Sequence, residues 1–145
     1  MRKLFFISLI LLYSVTSLAE NTKIENGYEV HYNALSSSFL TPEVAKNYHI
    51  PRSKTKGFIN IAVLKQNGDK LSIPVEAKIS IKAQNFYGQK KSIELKKIAE
   101  NDGAIYYIST FSVSSREGIK FKLSVVPNGS SKAIDITFDQ EFYTD

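Results

Sequence analysis

Ile119-Lys120-Phe121-Lys122-Leu123-Ser124-Val125 and Ile134-Asp135-Ile136-Thr137-Phe138-Asp139 decide the fold. In both stretches apolar side chains alternate strictly with polar ones. Successive side chains of an extended strand point to opposite faces, so this period of two describes a half-buried strand. Pairing the two apolar sets predicts one antiparallel register: Val125 opposite Ile134, Leu123 opposite Ile136, and Phe121 opposite Phe138. A slip of one residue would turn every apolar side chain to water. The same register sets Lys120 opposite Asp139 and Lys122 near Asp135, and opposite charges across a pair support it.

Working outward, the period persists. Tyr28, Val30 and Tyr32 alternate with Glu29, His31 and Asn33. Phe58 to Leu64 is apolar on both parities, which predicts a central strand covered on both faces. Asn67-Gly68 predicts a tight hairpin turn, because both residues tolerate positive φ. The strand after it has Val75, Ala77, Ile79, Ile81 and Ala83 on one face. Ser92 to Ile98 predicts a short strand with Ile93 and Leu95 inward, interrupted by a bulge at Lys96-Lys97. Ala104 to Val113 puts Ile105, Tyr107, Phe111 and Val113 on one side. Turns are expected at Asn85–Gly88, Asn101–Gly103 and Ser114–Gly118. The fold class is therefore all-β: a single-domain antiparallel Ig-like β-sandwich of about seven strands. Tryptophan and cysteine are both absent, so the immunoglobulin hallmarks are missing; a closed barrel is the main rival.

One segment breaks the pattern. Thr41 suits an N-cap, Pro42 the first helical position, and Glu43 the positive end of the helix dipole. Pro51 stops continuation. A short helix is thus expected in the crossover between the first two strands.

The N-terminus follows the logic of a secretory leader. Arg2 and Lys3 precede an apolar run from Leu4 to Tyr13, and Ser17-Leu18-Ala19 places small residues where signal peptidase cuts. The run falls short of the roughly 20 residues that span a bilayer. The expected organisation is a signal peptide over residues 1–19 cleaved after Ala19, a flexible polar lead over 20–26, and the sandwich over 27–145. No later run is long enough to span a membrane. The expected home is the periplasm.

Composition excludes several chemistries. With no cysteine there is no lipid-anchored cysteine, disulfide, thiolate metal site or cysteine nucleophile. The formal charge of +5 falls by two when Arg2 and Lys3 leave with the leader. Lys90-Lys91 and Lys96-Lys97 are isolated pairs, read as solvated edge lysines rather than a nucleic-acid or membrane patch. Phosphate-cradling glycine loops and nucleophile elbows are lacking. His31 and His49 stand outside any His-x-x-x-His spacing. Glu29 and His31 share a strand face, where a weak metal site competes with a plain surface pair. No catalytic residue, metal site or cofactor is assigned.

The crossover is the candidate binding site. Tyr32, Asn33, Phe39, Tyr48, His49 and Arg52 bring aromatic and polar groups into one helix-bearing connection, and Arg52 has the fork to clamp a carboxylate or phosphate. The competing reading is structural: Phe39, Val44 and Tyr48 plug an open end of the sandwich while Arg52 caps carbonyls. The functional expectation is a non-enzymatic periplasmic binding module for an envelope protein, peptide or glycan. The alternative is a small envelope hydrolase with a His/carboxylate site.

The blocks Val30-His31-Tyr32-Asn33-Ala34-Leu35, Phe39-Leu40-Thr41-Pro42-Glu43-Val44-Ala45 and Tyr48-His49-Ile50-Pro51-Arg52-Ser53 resemble a family of small exported proteobacterial proteins, the domain of unknown function 4426. Asn101 to Tyr107 and Phe138 to Tyr143 are similar to it as well. The resemblance covers essentially the whole chain after the leader. It implies one periplasmic domain and brings no activity, cofactor or catalytic residue with it.

Overall fold

The computed structural model describes residues 21–144, so the expected leader lies outside the described residues. Within them, the alternating runs form two antiparallel sheets. The larger takes strands in the order β1 (Asn21–Glu25), β2 (Tyr28–Ser36), β3 (Lys56–Asn67), β8 (Ile105–Ser112) and β7 (Lys96–Ala99), with β4 (Lys70–Pro74) also paired to β3. The smaller runs β10 (Ile134–Phe142), β9 (Glu117–Pro127), β5 (Ala77–Asn85) and β6 (Lys90–Lys91). The sheets face each other as a sandwich and do not close into a barrel.

The predicted register of β9 and β10 is present at all three apolar pairs, and Lys120 meets Asp139 at 3.8 Å. β3 is covered on both faces, as its double-parity pattern requires: Ile59, Ile61 and Val63 point into the sandwich, and Phe58 is buried on the outside. Each expected strand segment contains a strand; β1, β4 and β6 are additional.

Three local expectations are corrected. The lead expected to be flexible is a strand, since Asn21–Glu25 pairs with Tyr28–Tyr32. Its turn is Asn26-Gly27 at φ 54° and 81°, the left-handed pair that tight hairpins use. The hairpin expected at Asn67-Gly68 forms one residue later, with Gly68 (φ 58°) and Asp69 in the turn and Asn67 still paired to Lys70, and it leads into β4. Past Pro74 the Val75 amide still reaches the Val63 carbonyl at 2.9 Å, and the chain then leaves the larger sheet and enters the smaller one as β5. Lys96-Lys97 is not a bulge. There the chain, having left the smaller sheet at β6, joins the larger one as β7, and Ile93 and Leu95 pack on the core during the passage.

The core between the sheets is aromatic at one end. Phe121 stacks on Phe138 with ring centroids 4.8 Å apart, and Phe111 meets Phe121 and Phe142 edge-on at 5.6 and 5.5 Å. Tyr107 Oη accepts from the Ala77 amide at 3.0 Å and so ties the larger sheet to the start of β5. At the rim, Glu117 is 6 % exposed yet carries a carboxylate. Burial alone would raise its pKa. Donation from Asn85, Lys91 and the Ser114 amide outweighs that and holds it below the ordinary carboxylate range. β10 forms an outer edge of the smaller sheet and carries Asp135, Asp139 and Glu141 on alternate positions.

Candidate functional site

The crossover folds for local reasons. Thr41 Oγ1 accepts from the Val44 amide at 3.2 Å and starts α1 (Pro42–Asn47), with Pro42 in the first turn as expected. His49, at φ 56°, ends it, and the Ile50 amide returns to the Ala45 carbonyl at 2.8 Å. The buried Ser37 hydroxyl lies 2.9 and 3.1 Å from the Pro51 and Ser53 carbonyls and accepts from the Ser53 amide at 3.0 Å. This staple joins the two ends of the crossover.

Ala45 and Ile50 press on Phe58 and Ile108, with Leu35, Leu40, Tyr48, Ile98 and Tyr106 around them. The crossover therefore covers the outer face of the larger sheet and does not plug an end of the sandwich. Val44 is exposed and Phe39 is 78 % exposed, so neither is the anchor; Ala45 and Ile50 take that part.

The six candidate residues separate. Tyr32 points inward and rests 4.8 Å from Phe138, so it belongs to the core. Arg52 donates from Nε to Leu40 O at 2.8 Å and from Nη2 to Ser38 O at 3.3 Å, so its fork is engaged in capping. Phe39 and His49 lie on the exposed side of the crossover. Tyr48 donates to Glu100, which pushes its phenol up to about 12. The bond ties the crossover to the turn between β7 and β8. Only Asn33 and Tyr48 face the outer surface of the larger sheet.

On that surface Asn33 sits directly opposite Asn60. The Oδ1 atoms of both are shut from solvent and accept no hydrogen bond. Buried polar atoms in folded proteins are nearly always paired, so two side by side are unusual. Toward the open end of the same face, Thr22 Oγ1 lies 3.0 Å from His31 Nδ1, and His31 Nε2 lies 3.3 Å from Glu29 Oε2. Ser72 donates to the other Glu29 oxygen at 3.1 Å. On this face the His31 ring thus stands between a hydroxyl and a carboxylate, beside the two buried amides. Asn60 was missed from sequence, although a lone amide inside the apolar run Phe58–Leu64 was a visible signal. Thr22, Ser72 and Glu100 arrive by long-range pairing and left none.

A family model described as "Domain of unknown function (DUF4426)" matches residues 22–145. The crystal structure of a DUF4426 family protein from Pseudomonas aeruginosa PAO1 superposes with a TM-score of 0.70 at 33% identity, covering 87% of this chain and 96% of that one. A copper-bound variant of FetP from uropathogenic Escherichia coli strain F11 superposes with a TM-score of 0.57 at 16% identity, covering 86% and 95%. That second likeness is one of fold. No curated protein matches the chain.

Proposed function

The chain belongs to the DUF4426 family, and from that premise we propose that it is an exported, non-enzymatic binding module of the periplasm whose recognition surface is the outer face of the larger sheet around Asn33 and Asn60. One observation carries the reading: two adjacent buried amide oxygens that accept nothing from the protein itself. An unpaired buried acceptor costs on the order of 1–3 kcal/mol, and a partner that displaces the side chains covering the two oxygens and donates hydrogen bonds to them recovers it. Hydroxyls of an envelope glycan and N–H groups of a peptide or protein have that chemistry.

Export is supported by the charged, apolar and small-residue sequence of positions 1–19. Sequencing the N-terminus of the mature protein tests it: Glu20 is expected, and a retained Met1 overturns it. Recognition is tested by a photo-crosslinking residue placed at Ala62, on the proposed surface beside Asn60, in intact cells. The expected adducts disappear in an Asn33→Leu/Asn60→Leu variant. The same adducts from a cross-linker at Ser80, on the smaller sheet, overturn the assignment.

A hydrolase is the second reading, and it rests on the relay of Thr22, His31 and Glu29. A hydroxyl on one ring nitrogen and a carboxylate on the other is the arrangement that activates a nucleophile. Ester hydrolysis lost in both Thr22→Ala and His31→Ala would favour it over binding. The copper of the FetP structure is not carried over. His31 and Glu29 offer two donors, and among the described residues no group of three His, Cys, Asp or Glu side chains gathers to hold a metal.

A further inference from the structure

The outer face of the smaller sheet carries a groove of about 570 Å³ bordered by Lys82, Lys90, Lys91, Lys120 and Lys122, with Phe86 beside it and no acidic residue in its lining. These lysines come from three strands, and only the order β9-β5-β6 brings them together. Lys91 is neutralised by Glu117 at 2.8 Å and Lys120 faces Asp139 at 3.8 Å. Lys82, Lys90 and Lys122 make no ion pair among the described residues. Lys82 and Lys122 stand directly opposite in register. Like charges so placed destabilise a strand pair, and a bound anion relieves the repulsion.

Two aromatic side chains project beside this charge. Phe86 is 65 % and Tyr87 89 % exposed, in the turn between β5 and β6. The turn is rigid. Asn85 Oδ1 accepts from the Tyr87 and Gln89 amides at 3.1 and 2.8 Å, and its Nδ2 donates to Glu117 at 2.8 Å. Phe86 packs one ring edge on Gly118, where a Cβ would lie 2.2 Å from the ring. The turn backbone and the Phe86 ring are thus held in place, which lowers the ordering entropy lost on docking.

From this juxtaposition of unpaired lysines and rigid exposed aromatics we propose that the β5–β6 side of the smaller sheet docks on an anionic lipid bilayer surface. Lysines meet phosphate headgroups, while Phe86 and Tyr87 enter the headgroup–acyl boundary, the division of labour used by interfacial proteins. The acidic positions of β10 lie at the opposite edge of the sheet, so the molecule tilts with that edge away from the lipid. This surface is separate from the Asn33–Asn60 face, and either can fail without the other.

The test uses the chain from Glu20 onward with vesicles of phosphatidylcholine alone or mixed with phosphatidylglycerol. Binding is expected only to the anionic vesicles, and it weakens with salt. A Lys82→Gln/Lys122→Gln variant should bind roughly 25-fold more weakly, about five-fold per lysine, while Lys65→Gln/Lys70→Gln on the larger sheet binds as wild type. The protein has no tryptophan, so a Tyr87→Trp variant supplies a single reporter. Its emission should shift to the blue on anionic vesicles. An unmoved emission, or equal losses in the two lysine variants, overturns the proposal. So does lysine-dependent binding to soluble dextran sulfate without vesicle binding, which would assign the groove to a soluble polyanion. Circular dichroism of each variant separates misfolding from lost binding.

Discussion

The two outer faces of the sandwich start from the same alternating pattern and end differently. On the larger sheet the outward positions include Leu35, Phe58, Ile98 and Ile108, and the chain spends its crossover covering them. On the smaller sheet the outward positions of β5 and β9 include Lys78, Lys82, Lys120 and Lys122, and among the described residues no element lies over them. Outward apolar residues on β2 and β3 thus call for a third layer, and that layer leaves two amides stranded at its border. Outward lysines leave a bare surface whose charge is free to act.

The largest effect is expected at the covered face. Phe58→Ala removes the anchor under Ala45 and Ile50 and should cost about 3–5 kcal/mol in urea denaturation, whereas Lys122→Ala on the bare face should change stability by less than about 0.5 kcal/mol. Equal costs would mean that the crossover adds no packing.

Next comes the rim of the smaller sheet. Glu117→Gln leaves Lys91 without its partner and should cost about 3 kcal/mol at neutral pH. The folded carboxyl is held below its ordinary range. Its contribution is therefore present above about pH 4.3, the unfolded value, and is lost as pH falls further. Acid denaturation of the variant should be correspondingly shallower than that of wild type.

Asn33→Leu/Asn60→Leu reverses the sign. Exchanging two unpaired amides for apolar side chains should stabilise the protein by about 1–2 kcal/mol. Binding should be lost in the same variant. A loss of stability instead would show that the two amides are satisfied in solution.

The smallest effect concerns Tyr48. Its phenol is raised to about 12 by donation to Glu100. The link contributes stability below the ordinary tyrosine value near 10 and loses it as pH rises through the folded value. Phenolate absorbance in Glu100→Gln should titrate closer to 10.

The strands and their registers were legible because alternation is local and survives without knowledge of neighbours. Phe121 opposite Phe138 is legible in one heptapeptide and one hexapeptide. What stayed hidden was pairing at a distance. Asn26-Gly27 is the same dipeptide as Asn67-Gly68, yet only the second was read as a hairpin, because Asn21–Glu25 shows no apolar alternation to flag a strand. Tyr32 was grouped with Asn33 although neighbours on a strand face opposite ways, which its own parity with Tyr28 and Val30 already implied. Arg52 was read for its fork, but the carbonyls of Ser38 and Leu40 that engage it could be placed only by folding the crossover. The groove lysines looked like scattered pairs because β6 returns beside β5, and nothing in Lys90-Lys91 announces Lys82 or Lys122 as neighbours.

β10, the outermost strand of the smaller sheet, is nine residues long, and apart from the Asp135 carbonyl, which accepts from Lys23 at 2.6 Å, its outward backbone groups pair with no strand among the described residues, a ready template for a second molecule. Two copies meeting there would crowd the carboxylates of Asp135, Asp139 and Glu141 from both along one seam. That repulsion opposes such pairing. Light scattering should therefore show more self-association in an Asp135→Asn/Asp139→Asn/Glu141→Gln variant than in wild type.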